Sequence, residues 1–337
     1  MNAAVRAAMD RMTIPESRYL TPPVLTSYHD LCAKYGEQEK IIRIKTPDGE
    51  VPACWFGSPS AEVVLLYLHG GGYTQPAASI QLDFARMLPT NLENSTSDGN
   101  EKSFAVLFVA YSLAPEATHP TPLREASAVL LHLVHDAGKS PSNILVGGDS
   151  AGGGLVFSLL SHILHPHPQV PEVTLDEPLG GALLLSPWVD FSTEHESFER
   201  NAGKDVLVRR CLHVWGSMYT GHAGEDPEVD QGCVKGSDAY VDPASNDAAW
   251  WNGLDRVVDD VFIWCGSNEV FVDGVAAFEK VLRKGWTADG GKGERLVYLE
   301  APNESHIQPA IDWKGNDGVK RDSQVAIEAW LKKLISR

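Results

Sequence analysis

Basic residues are scarce in this chain: 28 Lys and Arg stand against 45 Asp and Glu, a formal net charge of −17. Nucleic-acid binding needs clustered cations to neutralise phosphates, so no such partner is expected. The same deficit disfavours adsorption to anionic membranes, and the acidity reads as a solubility feature. Cysteine is sparse too. Cys32, Cys54, Cys211, Cys233 and Cys265 form no C-x-x-C pair and have an odd total, so neither a disulfide framework nor a zinc spacing emerges. No apolar run is long enough to span a bilayer, and Met1 to Tyr19 alternates small apolar with charged residues instead of forming a secretory signal. A soluble protein of a reducing, cytoplasmic compartment is expected, without stable membrane insertion. There is no internal repeat.

What the chain does contain is apolar residues in short, regularly spaced runs. At 337 residues and 43% hydrophobic, it has material for one large α/β domain with an appended piece. Strands are predicted at 41–44, 53–56, 63–68, 105–110, 144–147, 182–185, 261–265 and 296–299. The later ones are apolar on both faces, as in strands buried within a parallel sheet. Helical patterns at 80–88, 123–136, 155–163, 274–284 and 323–334 alternate with them, giving a doubly wound sheet whose first strands are antiparallel. Residues 91–103 and 286–294 are polar or Gly-rich and read as loops without a part in the chemistry.

Two stretches break the alternation. Residues 1–38 carry helical patterning before the first strand, and 188–250 intervene between the strands at 182 and 261. The expected organisation is a catalytic domain at 39–187 and 251–337, with 1–38 and the 188–250 insertion forming a helical lid. Trp188, Phe191, Phe198, Trp215, Tyr219, Trp250 and Trp251 lie in or beside the insertion. They suit either the wall of an apolar pocket or the lid's own core.

The chemistry is carried by two motifs. Gly148-Asp149-Ser150-Ala151-Gly152 follows the apolar run at 144–146 and precedes the helix at 155–163, the strand–turn–helix setting of a nucleophile elbow. His69-Gly70-Gly71-Gly72 ends the strand at 63–68, where backbone N–H groups can face a developing oxyanion. A serine hydroxyl needs a general base oriented by a carboxylate, and on this layout the order is Ser, acid, His. Beyond His222 only His306 remains, in the loop after the last strand. The acid belongs after the preceding strand, where Glu269 and Asp273 are the candidates. Glu269 is assigned to orient the base; Asp273, at the helix start, is assigned to structural support through capping. Gly71, Gly72 and Ala151 are the expected oxyanion donors, each worth about 3 kcal/mol of transition-state stabilisation. Gly70 and His69 support the glycine loop, His69 through a hydrogen bond. Asp149 ties down the elbow or the lid, without proton transfer. No cofactor or metal is expected.

These residues resemble the hormone-sensitive-lipase-like family of α/β-hydrolase carboxylesterases. The similarity runs from Val63 to about Ile311 and includes His69-Gly70-Gly71-Gly72-Tyr73, Tyr111-Ser112-Leu113-Ala114-Pro115-Glu116, the elbow, and Leu185-Ser186-Pro187-Trp188-Val189-Asp190. The resemblance implies an α/β-hydrolase fold with Ser150 as nucleophile and His306 as base. It implies a lid from the N-terminus and the insertion, and it admits a homodimer. One departure stands out. The family shows Asp-Pro-Leu-x-Asp at the acid loop, whereas this chain has Glu269-Val270-Phe271-Val272-Asp273, an acid one methylene longer. The expected activity is cofactor-free hydrolysis of a short-acyl ester of a hydrophobic alcohol, with natural-product deacetylation as the suggested setting. The same triad also serves an acyltransferase, a lactonase or another non-hydrolytic tailoring enzyme. A catalytically silent small-molecule receptor is the third reading, separable by fluorophosphonate labelling.

Overall fold

The computed structural model describes residues 2–93, 101–222, 238–314 and 320–337. Eight strands form one sheet: β1 (Ile41–Thr46), β2 (Gly49–Phe56), β3 (Val63–Leu68), β4 (Phe104–Val109), β5 (Ile144–Asp149), β6 (Gly181–Leu185), β7 (Val261–Gly266) and β8 (Leu296–Ala301). Their spatial order is β1-β2-β4-β3-β5-β6-β7-β8. The β1–β2 and β2–β4 pairs are antiparallel and all others parallel. All eight predicted strands are present, with ends shifted by a few residues. Every residue of β3, β4, β5, β6 and β7 is buried. That is why their sequences are apolar without alternation.

Helices cover both faces. The N-terminal segment forms α1 (Asn2–Arg11), α2 (Ile14–Leu20) and α3 (Val24–Tyr35). The body contributes α4 (Ser79–Glu93), α5 (Thr121–Leu131) and α6 (Ala151–Leu164). The insertion holds α7 (Ser197–Arg200) and α8 (Arg209–Tyr219), and α9 (Val272–Ala288), α10 (Gln308–Lys314) and α11 (Asp322–Ile335) complete the chain. The helix expected at 123–136 is α5 continued by a π-helical turn over His132–Asp136. Of the loop expected at 91–103, residues 91–93 are helical and 94–100 lie outside the described residues.

The loop expected at 286–294 requires correction. Helix α9 runs on to Ala288, and Trp286 is fully buried, its indole N–H donating to the Lys292 carbonyl at 3.0 Å. Gly285 is present because α9 passes against the backbone at Ala248 and the Trp251 side chain, where a Cβ would collide. The glycine marks close packing inside a helix, not a break.

The insertion aromatics divide between two places. Trp251 packs edge-on against Phe157 of α6 and Phe278 of α9, within the core of the body. Trp250 lies on the His165 ring. Trp188 instead stacks on Phe191, and Tyr219 stacks on Tyr73 at 3.7 Å, beside the glycine loop. No helix among the described residues is long and apolar enough to cross a membrane.

Candidate active site

Ser150 occupies the turn between β5 and α6 with φ 53° and ψ −122°, a strained conformation for a residue with a side chain. The turn closes because its neighbours lack bulk. A Cβ on Gly152 would strike the Leu68 carbonyl oxygen at the end of β3. The Ser150 N–H donates to the Leu185 carbonyl at 2.9 Å, and its own carbonyl accepts from Trp188 N–H at 2.8 Å. The nucleophile candidate is thereby fixed at the carboxyl end of the sheet, where α/β folds place their sites. It is 7% exposed.

The glycine loop lies alongside. Asp149, fully buried, accepts the Gly70 N–H at 3.1 Å, the Tyr67 hydroxyl at 2.9 Å and the Gln81 amide at 2.7 Å. One carboxylate thus joins the elbow, the loop and α4. Burial lifts its carboxyl above the usual range, and these donors work in the opposite direction. The Gly70 N–H is consequently occupied. Among the described residues, no group accepts from the N–H of Gly71 or Gly72, so both remain available to a ligand oxygen. Gly71 has φ +125°, and a Cβ there would run into the Gln75 carbonyl. A Cβ on Gly72 would enter the indole of Trp215, which α8 lays across the loop.

His69 sits beneath, stacked on Tyr111 at 4.4 Å and on Phe108 at 5.7 Å. Its Nδ1 bonds the Gly70 carbonyl at 2.6 Å, and burial pushes its pKa down to about 4, so the ring is neutral. The Tyr111 hydroxyl donates to the His69 carbonyl at 2.6 Å. From the N-terminal segment, Arg18 of α2 reaches the Thr74 and Ala114 carbonyls at 2.8 and 2.5 Å and pairs with Glu116 at 2.9 Å. Arg18 held no motif in the sequence, because its partners come from two other loops.

His306 and Glu269 are brought together by the loops after β8 and β7. His306 Nδ1 donates to Glu269 Oε2 at 2.8 Å, with the imidazole 4% exposed and Glu269 fully buried. Burial works against the charged imidazole, but the hydrogen bond and charge of Glu269 outweigh it and hold His306 above its ordinary value. The other carboxylate oxygen accepts the Gly266 N–H and the hydroxyl of Ser186. Ser186 follows Leu185 at the end of β6, so adjacent residues contact the elbow through one backbone carbonyl and the acid through one side chain. Among the described residues, the Ser150 hydroxyl makes no hydrogen bond to His306.

Asp273 lies elsewhere. It does not cap α9 as expected; its oxygens accept the Ser197 N–H at 2.8 Å and pair with Arg200 at 2.5 Å, both on the insertion. Helix α7 offers it a cation and a backbone N–H instead. Of the two acids, only Glu269 meets His306.

One further cluster has metal-ligand chemistry. His119 Nε2 and His167 Nε2 lie 3.3 and 3.5 Å from Asp238 Oδ2. However, Gln169 N–H donates to His167 Nδ1 at 3.1 Å, which leaves the neutral ring's proton on Nε2, facing Asp238. His119 hydrogen-bonds Asp238 and His167 faces the same oxygen, so the cluster ties the insertion to the body.

A mostly parallel sheet with a strained serine at its carboxyl edge and a glycine loop beside it defines the α/β-hydrolase class. The chain belongs to the family described as alpha/beta hydrolase fold, matched over residues 65–306. It is 27% identical over 280 residues to an acetyl-hydrolase of Streptomyces hygroscopicus, covering 80% of this chain and 78% of that one. It is 23% identical over 251 residues to steryl acetyl hydrolase 1 of Saccharomyces cerevisiae, covering 72% and 51%. The chain spans between 40% and 61% of the length of several other curated relatives. An esterase from the bacterial hormone-sensitive lipase family shares the fold, with TM-score 0.68 at 23% identity over 99% of this chain and 98% of that one.

Proposed function

We propose that the chain is a serine carboxylesterase that removes a short acyl group, acetyl above all, from a bulky hydrophobic alcohol, with Ser150, His306 and Glu269 as its triad. The observation that carries this reading is the buried 2.8 Å pair of His306 and Glu269. Its neighbour is Ser186, which is bonded to both the acid and the residue after the base. His306 takes the Ser150 proton as the oxygen attacks the ester carbonyl. The carbonyl oxygen becomes an anion facing the N–H groups of Gly71, Gly72 and Ala151. His306, now an imidazolium steadied by Glu269, returns the proton to the leaving alcohol. Water then repeats both steps on the acyl-enzyme and frees the carboxylic acid.

Two features support a short acyl group. Trp215 covers Gly72 and limits the space beside the expected oxyanion site. Four of the relatives are named as acetyl hydrolases. The N-terminal segment and the insertion act as the lid in this reading. Arg6 donates to the Ala202 carbonyl at 2.8 Å, joining the two pieces.

Ser150→Ala lowers kcat by about six orders of magnitude when the triad acts as a unit. Wild-type protein is labelled by a fluorophosphonate and the variant is not. Ester hydrolysis unchanged in Ser150→Ala sinks the scheme. A p-nitrophenyl series from two to twelve carbons tests the acyl length, and a preference for the long end removes the short-acyl assignment.

A further inference from the structure

We infer that Asn201 and Asp205 of the insertion are positioning residues for Glu269, so that this segment helps to assemble the triad as well as covering it. The inference rests on the proposed role of Glu269.

The acid lies in a short loop whose backbone must be held for its carboxylate to meet His306. On one side the base loop does this: Ser267 N–H donates to the Ala301 carbonyl and Asn268 N–H to the Glu304 carbonyl, both at 2.9 Å. The other side is held from the insertion. Asn201 Nδ2 donates to the carbonyls of Ser267 and Glu269, at 3.0 and 2.9 Å. Asp205 Oδ2 accepts the Val270 N–H at 2.6 Å. Ser197 Oγ donates to the Val270 carbonyl at 2.6 Å. The carbonyl of Glu269 and the N–H that follows it therefore both end on insertion side chains. Asp205 N–H donates to the Asn201 carbonyl at 3.1 Å, so the two residues move as one.

Burial makes this grip consequential. Asn201 and Asp205 are fully buried. The oxygens of Asp205 meet backbone N–H groups, its second oxygen taking that of Val206 at 2.6 Å. A carboxylate buried without a neighbouring cation is costly to hold, and an apolar residue would fill the space more cheaply. Its negative charge favours the imidazolium form of His306, the form that Glu269 must steady during the reaction. Ser197, Asn201 and Asp205 recur every four residues, which sets three polar groups along one side of α7 and the turn after it.

A double-mutant cycle on the full chain decides the matter, read as kcat and KM for p-nitrophenyl acetate with melting temperature recorded alongside. Asn201→Ala lowers kcat about 10- to 100-fold while KM stays within about threefold, the scale of a misplaced catalytic group. In a Glu269→Ala background the same substitution changes kcat by less than about threefold, because the residue it positions is gone. Equal losses in both backgrounds, or wild-type kcat in Asn201→Ala, overturn the inference. Should Asn201→Ala not fold, Asp205→Asn enters the same cycle under the same criteria, since it keeps the side-chain volume and one acceptor oxygen. Wild-type kcat in Glu269→Ala alone instead overturns the triad reading beneath it.

Discussion

The Ser186 hydroxyl donates to Glu269 Oε1 at 3.1 Å and accepts the Ile307 N–H at 3.0 Å, linking Glu269 to the residue after His306. Ser186 is fully buried, with a φ of 47° just past the end of β6. Ser186→Ala leaves an acceptor oxygen of Glu269 and the Ile307 N–H without this partner, at a cost of about 1–3 kcal/mol. The expected result is a kcat lowered by about 10- to 100-fold with little change in KM. Steady-state kinetics of the variant check this, and a wild-type kcat counts against hydroxyl positioning.

Glu269→Gln keeps the volume of the side chain and removes its charge. In the proposed triad His306 works as base only when neutral, so kcat/KM rises as pH increases through its pKa. That pKa lies above the usual histidine value because of Glu269, against the opposing effect of burial. In Glu269→Gln the acidic limb moves to lower pH, while the plateau falls by about two to four orders of magnitude. A pH–rate profile from 4 to 9 shows both changes. An acidic limb that stays in place means that the carboxylate does not act through His306.

In the proposed reading the Trp215 indole beside Gly72 limits the acyl side. Trp215→Ala removes the indole that lies over the glycine loop. Relative kcat/KM for six-carbon over two-carbon p-nitrophenyl esters rises by about tenfold or more, equivalent to about 1.4 kcal/mol. An unaltered chain-length profile shows that the indole faces another part of the substrate.

Asp242 gives a stability prediction independent of catalysis. Burial, with Asp190 adding to it, pushes its pKa up to about 7, and its Oδ1 has no hydrogen-bond partner among the described residues. The folded state therefore keeps a proton that the unfolded chain releases near pH 4. The contribution of Asp242 to stability falls as pH rises from about 4 to about 7 and is constant above. Asp242→Asn removes this dependence. The variant gains about 1–3 kcal/mol at pH 8 and nothing at pH 4, measured by urea unfolding at the two values. Equal effects at both pH values contradict the linkage.

Much of the fold is legible because its signals are local. Val63 to Leu68 and Ile144 to Gly147 read as buried strands from their unbroken apolar runs, and the sheet contains them where expected. Helix α8 has no counterpart in the sequence reading, since Arg209–Tyr219 mixes charged and aromatic residues whose order becomes clear only against Tyr73 and Gly72. Trp286 reads as part of a loop because glycines flank it, yet it anchors α9. At the site, Glu269 and Asp273 differ by four positions and by one methylene, and nothing local separates them. Ser186 lies in a motif that gave it no role, and Asn201 and Asp205 lie in none, because each takes its meaning from partners more than sixty residues away in the chain.

The amino-acid order alone determined the sheet, the tight turn at Ser150, the glycine loop and the order of candidate nucleophile, acid and base. Those features depend on side-chain size, apolar periodicity and backbone freedom over a few neighbouring residues. Tertiary structure decided which acid meets His306, where the tryptophans pack and how the insertion grips the acid loop. Those outcomes depend on hydrogen bonds and contacts between distant segments, whose geometry exists only once the sheet has brought their loops to one edge.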